Sequence, residues 1–423
     1  MFRRPNGLKV ALLCLACIAA GCGKEPVPGT ANDEPRMLQT PAAAGSLAPN
    51  LATGPDGTVV LSWIEPEGDG NALRFAVFDE GKWGNTRTVI SGANWFVNWA
   101  DFPSVVPISK SQWAAHWLVR REAGGYAYDI HAAFSNDSGN TWSEPFTPHT
   151  DGTDTEHGFV TLFPHHDGVG MIWLDGRKFV NEYDEHDVAA SGMTLRTAAF
   201  DANHAPVAET LVDDLICDCC QTDIATTSQG PVAVYRNRTV DEIRDIYLTR
   251  FVDGEWQSGK PVGDDNWEIP GCPVNGPVVQ ANGSQLGVTW FSAGNERPKV
   301  QVAWSSDAGE HMSDPIAVAD GRLLGHVGAA LLPSGDMAVT WLSSAVGGTA
   351  ELHLRRVSSS GDLGLDQVIA EAMGVAAFSV PQIIVAGDSL LLAWTDTSGD
   401  NSLVKTASVP LQLLESHGSP ISD

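Results

Sequence analysis

The chain has 423 residues, with 25 Lys+Arg against 52 Asp+Glu and a formal net charge of −27. So negative a balance opposes nucleic acid and anionic lipid head groups as partners, and an anionic ligand would need a local arginine cluster. Forty-three glycines and fourteen tryptophans, many short apolar runs and no Pro-rich or charged linker exclude a long-helix protein and point to an all-β repeat chain.

Residues 1–21 read as a lipoprotein signal peptide. Arg3, Arg4 and Lys9 form its positive start, and 10–20 is an apolar stretch too short to span a bilayer. It ends Ile18-Ala-Ala-Gly-Cys22, which resembles a bacterial lipobox. The resemblance implies cleavage before Cys22 and lipidation of that cysteine, and Gly23 after it favours the outer membrane of the cell envelope. The lipid would be the chain's sole membrane contact. Residues 22–46, rich in Pro, Gly, Ala and Thr, read as a flexible tether with one strand near 36–40. Without the three signal cations, 22 Lys+Arg face 52 acids, so the mature charge is about −30.

From residue 47 one strand type recurs, an apolar run ending in an aromatic: Val60-Leu-Ser-Trp63, Ala114-Ala-His-Trp117, Gly170-Met-Ile-Trp173, Val232-Ala-Val-Tyr235, Gly287-Val-Thr-Trp290, Ala338-Val-Thr-Trp341 and Leu391-Leu-Ala-Trp394. The intervals are 54, 56, 62, 55, 51 and 53 residues. A period near 50 with about four strands per unit is a β-propeller pattern. Another strand precedes each aromatic run across a Gly-containing turn, and a third follows at 74–78, 130–134, 195–200, 246–251, 300–304, 352–357 and 404–409. The last repeat lacks a fourth strand, which the 36–40 segment can supply to close the ring. The expectation is one all-β domain over 47–410, a β-propeller of seven four-stranded blades, followed by a tail at 411–423. A six-bladed ring with an extra sheet is the alternative, and a monomer is expected.

Between the third and fourth strands of the second repeat stands Ser135-Asn-Asp-Ser-Gly-Asn-Thr-Trp142, and of the fifth, Ser305-Ser-Asp-Ala-Gly309 followed by Glu310-His311-Met312. These runs resemble the Asp-box, Ser-x-Asp-x-Gly-x-Thr-Trp, of sialidases (neuraminidases) and related BNR-repeat propellers. The resemblance covers the body of the chain and implies a structural role for Ser135, Asp137, Gly139, Trp142 and Asp307, on the face away from the site.

The other face carries the first-strand starts and the loops between second and third strands. Arg177, Arg238 and Arg244 fall there and are the candidate triad for an acidic sugar, in the manner of sialidases. The same resemblance implies a tyrosine nucleophile with a glutamate partner and an aspartate acid/base. Tyr235 with Glu242, and Asp101 or Asp175, supply those types. The family's Arg-Ile-Pro run has its nearest counterpart in Asp101-Phe-Pro103.

Four cysteines remain beyond the signal and the anchor: Cys217, Cys219, Cys220 and Cys272. Two disulfides, one disulfide with a free pair, or a metal site for copper or zinc with His157 or His326 are all open. Cys272 is expected to bond one of the other three, Cys217 or Cys219 foremost. Three functions stay in view. The first is a sialidase-like surface propeller that binds or hydrolyses an acidic sugar or glycan at the channel mouth. The second is a non-catalytic glycan- or protein-binding propeller, and the third a cysteine-dependent metal or redox site.

Overall fold

The computed structural model describes residues 34–122, 124–166, 168–181, 191–201, 203–345, 347–374 and 380–414. The signal segment, Cys22 and most of the expected tail lie outside them. Among the described residues seven antiparallel sheets form in chain order, one per repeat, and no helix is long and apolar enough to cross a membrane.

Each sheet runs first to fourth strand outward. The third blade is representative, with His157–His165, Gly168–Asp175, Met193–Phe200 and Pro206–Ile216 paired in that order. In the seventh blade Gln382–Ala386, Ser389–Asp396 and Leu403–Pro410 are joined by Arg36–Leu38, which pairs antiparallel with Leu403–Pro410 from Arg36 opposite Ser408 to Leu38 opposite Thr406. Part of the expected tether is therefore structure, and this strand covers the edge that the last repeat would otherwise expose. Blade two departs from the four-strand pattern. It has Ser104–Pro107, Trp113–Arg120 and Tyr128–Ser135, with the fourth position reduced to a bridge between Ala132 and Phe146. At the far end Leu411–Leu414 makes one tight turn, and Leu414 is buried rather than loose.

The recurring aromatic explains why the repeats stack. Trp63, Trp117, Trp173, Tyr235, Trp290, Trp341 and Trp394 are each at most 2% exposed. Every one packs against the blade before it: Trp63 with Leu391 and Ala393, Tyr235 with Ile172 and Leu195, Trp290 with Val232 and Val234. A blade alone leaves this ring in water. Stacking buries it, for roughly 3 kcal/mol per aromatic.

The two Asp-box runs fold alike. Ser135 Oγ sits 2.8 Å from Asp137 Oδ1 and accepts the Gly139 amide at 2.9 Å, while Asp137 accepts the Thr141 amide at 2.8 Å and hydroxyl at 2.7 Å. Gly139 has φ +74°, and a Cβ there would meet Phe75 at 2.9 Å and Trp113 at 3.0 Å, so glycine is required. In the degenerate copy His311 takes the threonine's place, its amide and ring Nδ1 at 3.0 and 2.8 Å from Asp307. Ser138 N bonds Ser111 O, in the turn between first and second strands. Both kinds of turn therefore lie on one face, opposite the channel mouth.

Candidate functional site

The mouth face gathers what the repeats do not share. Residues 217–220 lead into the first strand of blade four, Asp223–Thr227, and Cys272 precedes that of blade five, Val278–Asn282. These neighbouring inner strands bring Cys219 and Cys272 to a Cα separation of 5.9 Å, where they form a disulfide. Cys217 and Cys220 remain free and buried, with sulfurs 3.3 Å apart. Burial would raise the Cys217 thiol, but the bond from Cys220 and the Arg244 guanidinium, 3.4 Å from its sulfur, lower it instead. Burial, then the Cys217 sulfur, pushes Cys220 up.

The three candidate arginines divide into two sets. Arg238 bonds Asp218 at 3.0 Å and Glu242 at 2.5 Å, and Arg244 bonds Glu242 at 2.9 Å. Arg177 instead holds Asp175 through two bonds of 2.7 Å and Glu209 at 2.7 Å. Its carboxylate partners among the described residues, Asp151, Asp175 and Glu209, are distinct from Asp218 and Glu242. Of the expected triad, the structure joins Arg238 and Arg244 through the shared Glu242 and sets Arg177 on separate carboxylates, Asp175 and Glu209. Arg236 is spent wholly on backbone, bonding the carbonyls of Asn275, Arg244 and Phe291.

Tyr235 and Glu242 are placed apart as well. Tyr235 is the blade-packing aromatic of its repeat, 1% exposed, and its hydroxyl donates to Asp213 at 2.5 Å rather than to Glu242. Burial and then the Asp213 charge raise its phenol well above the ordinary value, the opposite of what a nucleophile needs. Asp175 is fully buried and accepts the Trp173 indole at 2.9 Å. Burial alone would raise it, but the Arg177 bonds and the charge of His157 hold it low, so it keeps no proton to donate near neutrality.

Asp101 stands elsewhere. The Tyr128 hydroxyl lies 2.7 Å from Asp101 Oδ2 and 2.7 Å from Glu156 Oε1. One hydroxyl proton cannot serve both, so one carboxyl is protonated and donates to the phenol oxygen. Burial raises Asp101 to about 7 and Glu156 to about 8. Tyr128 thus stands between two carboxyls, but it is fully buried, and burial and then the Asp101 charge raise its phenol well above the ordinary value, as at Tyr235. Tyr128 and Glu156 had no sequence signal, since neither sits in a motif. The bridge from Tyr128 to Glu156, which joins blade two to blade three, brings them together.

A cavity of about 490 Å³ runs along the channel. Its wall is built by the innermost strands, and Asn50, Asp101, Thr161, Gln221, Gln280 and Gln382 put polar groups on it. His326, 5.4 Å from the Trp99 ring, lies at the same wall. It does not join the cysteines, nor does His157, which stacks on His149.

No protein-family model matches the chain, and no curated protein matches it in sequence. Solved structures do resemble it. An ulvan lyase, a polysaccharide lyase bound to an oligomer of glucuronic acid and sulfated rhamnose, is 10% identical, with 89% of this chain and 96% of that one covered at a TM-score of 0.54. A protein of unknown function from Dyadobacter fermentans is 12% identical over 90% and 99% of the two chains, at 0.50. The Trypanosoma rangeli sialidase in complex with sialic acid is 12% identical over 85% and 59%, at 0.47. At these identities the likeness to the ulvan lyase and the Dyadobacter fermentans protein speaks for the fold alone.

Proposed function

We propose that the chain is a glycan-binding propeller whose ligand enters the central channel from the mouth face. The supporting observation is the 490 Å³ channel cavity with amide and carboxyl groups on its wall. Its size suits one or two sugar residues, and such groups both donate to and accept from sugar hydroxyls. The ulvan lyase of similar fold, bound to an acidic oligosaccharide, adds to the reading. The finer reading is an acidic sugar. It takes Arg238 and Arg244 as the cationic contribution, and the ligand's carboxylate must displace Glu242 from between them. The lipid on Cys22 and the outer-membrane location belong to the same proposal, and Cys22→Ser should move the protein from the membrane to the soluble fraction.

The test is calorimetry with neutral and acidic oligosaccharides, alongside a fluorogenic sialoside for turnover. Gln280→Leu and Gln382→Leu should each weaken binding about tenfold, the worth of one good hydrogen bond. Failure of the wild type to bind any of these sugars would reject the proposal. A second reading rests on the Cys217 and Cys220 sulfurs beside Arg244, a thiol pair suited to a soft metal or to redox exchange. Copper or zinc released in stoichiometric amount on denaturation, and lost in Cys217→Ser, would favour it.

A further inference from the structure

Blades two and five carry an Asp-box run between their third and fourth strands, whereas blades three and four have the turns 201–205 and 253–254 there. A second cavity, of about 600 Å³, lies between these two blades at the face opposite the channel mouth. Its rim comes from turns of both. His165 and His166 follow the first strand of blade three and Asp201 the third, while Gly254, Glu255 and Trp256 follow the third strand of blade four. Phe163 alone lines both this cavity and the channel.

Side-chain size explains the space. On the side of blade three that meets blade four, Leu195 joins the core cluster of Tyr235. Further along the same strand face stand Thr197 and Ala199, and Thr210 pairs directly with Thr197. Opposite them, the outer part of blade four is cut into the short pieces Glu255–Trp256 and Lys260–Pro261. Short side chains facing an interrupted strand leave a gap where packing ordinarily leaves nothing much larger than a water. The gap is open to solvent, and Val207 in its wall is 67% exposed, which marks a surface that a ligand can cover.

Four rings line the gap in succession, each edge to face with the next. Phe163 and His165 are 5.9 Å apart, His165 and Phe251 5.3 Å, and Phe251 and Trp256 5.3 Å, with planes crossing at 86°, 73° and 61°. Planes that turn at every step present π surface in several directions around one occupant. The face of an aromatic ring is its negative pole, so such a wall attracts positive charge.

The charges select the same ligand. Among the described residues no lysine or arginine lines the cavity. Asp201 accepts the backbone amides of Ala205 and Asn203 at 2.9 and 2.8 Å, which hold it below the usual carboxylate range and therefore ionised. Glu255 adds a second, exposed carboxylate. Burial and then the neighbouring His166 lower His165, so its ring is uncharged near neutrality. An anion would meet two carboxylates with no counter-ion, and the net charge of −27 opposes it further. A cation gains from the carboxylates and the ring faces together.

We propose that this cleft binds an organic cation with an apolar body, of the alkyl- or arylammonium class, its ammonium held among Phe251 and Trp256 beside Glu255 and Asp201. A volume of about 600 Å³ suits a small molecule of ordinary ligand size. The site does not rest on what the channel binds.

The experiment titrates the mature chain with benzyltrimethylammonium by calorimetry. It then compares choline with 3,3-dimethylbutanol, which has the same shape and no charge. The expected result is one benzyltrimethylammonium per chain and choline bound about tenfold more tightly than its neutral isostere. Trp256→Leu should weaken the cation about tenfold, and Ala199→Phe, which fills the gap, at least as much. Gln280→Leu, in the channel, should leave it unchanged. Absence of saturable binding by the wild type would overturn the proposal, as would equal binding of choline and its isostere. So would a loss in Gln280→Leu with none in Ala199→Phe, which would place the cation in the channel. The wild-type comparison decides the matter even where a variant fails to fold, and it involves no sugar.

Discussion

On the mouth face Asp101 and Glu156 are raised to about 7 and about 8, whereas on the opposite face Asp137 is held down at about 2. The same chemical group moves in opposite directions within one fold. Asp101 and Glu156 are buried and share a single phenol proton, so the charged form loses solvation and gains little. Asp137 is open to water and accepts the Thr141 amide and hydroxyl and the Ser135 hydroxyl, which stabilise its charge. The Asp-box turns of the far face are therefore finished local structures. The mouth holds charges that depend on partners from other blades, and that dependence makes it the place for function.

The comparison can be tested hardest at Glu242. Arg238 and Arg244 are 1% and 3% exposed and both rely on it. Glu242→Gln should destabilise the fold by about 3 kcal/mol in urea unfolding, since it leaves buried guanidiniums short of a counter-ion. A loss under about 1 kcal/mol would mean that Asp218 alone suffices. Next is Cys272→Ser, which opens a link across 53 residues. It should cost about 2–4 kcal/mol and add Cys219 to the thiols titrated after denaturation. Peptide mapping without reduction should find the 219–272 linkage in the wild type and no 217–220 bridge.

The protonation contrast predicts a pH dependence. Unfolded carboxyls release their protons near pH 4, while Asp101 and Glu156 keep theirs to about 7 and 8 in the folded chain. The folded state then binds more protons across that window, so these groups lend stability at low pH that is lost as pH rises from about 4 to 8. Asp101→Asn keeps a donor for Tyr128 and removes one titration. Its stability should fall less steeply over the window, and an unchanged slope would sink the shared-proton account. The smallest effect belongs to the far face. His311→Thr restores the Asp-box pattern around Asp307 and should change stability by no more than about 0.5 kcal/mol, since the exposed ring does what a threonine does there.

Much of this molecule is local and could be read from residues in order. The seven aromatic strand ends, the Gly139 turn and the closing strand at Arg36–Leu38 follow from alternation, turn chemistry and a missing edge partner. Cys272 was assignable to the 217–220 run because adjacent repeats must place their first strands side by side. Tyr235 is visible as the fourth of the seven aromatics in that series, and its packing role takes precedence over nucleophile chemistry because the ring closes only if every blade buries one.

What the tertiary structure alone decided is which charges meet. Arg177 and Arg238 carry the same side chain at equivalent loops, yet one faces Asp175 and Glu209 and the other Asp218 and Glu242. Tyr128 meets Asp101 from 27 residues away and Glu156 from 28. His149 and His157 stack only because a connection folds back onto the strand it feeds. Strand formation depends on a residue's near neighbours and their period, which a sequence displays. Partner choice among charged side chains depends on distances between loops far apart in sequence, within a blade for the arginines and across two blades for Tyr128 with Glu156, and those exist only once the sheets have formed and stacked.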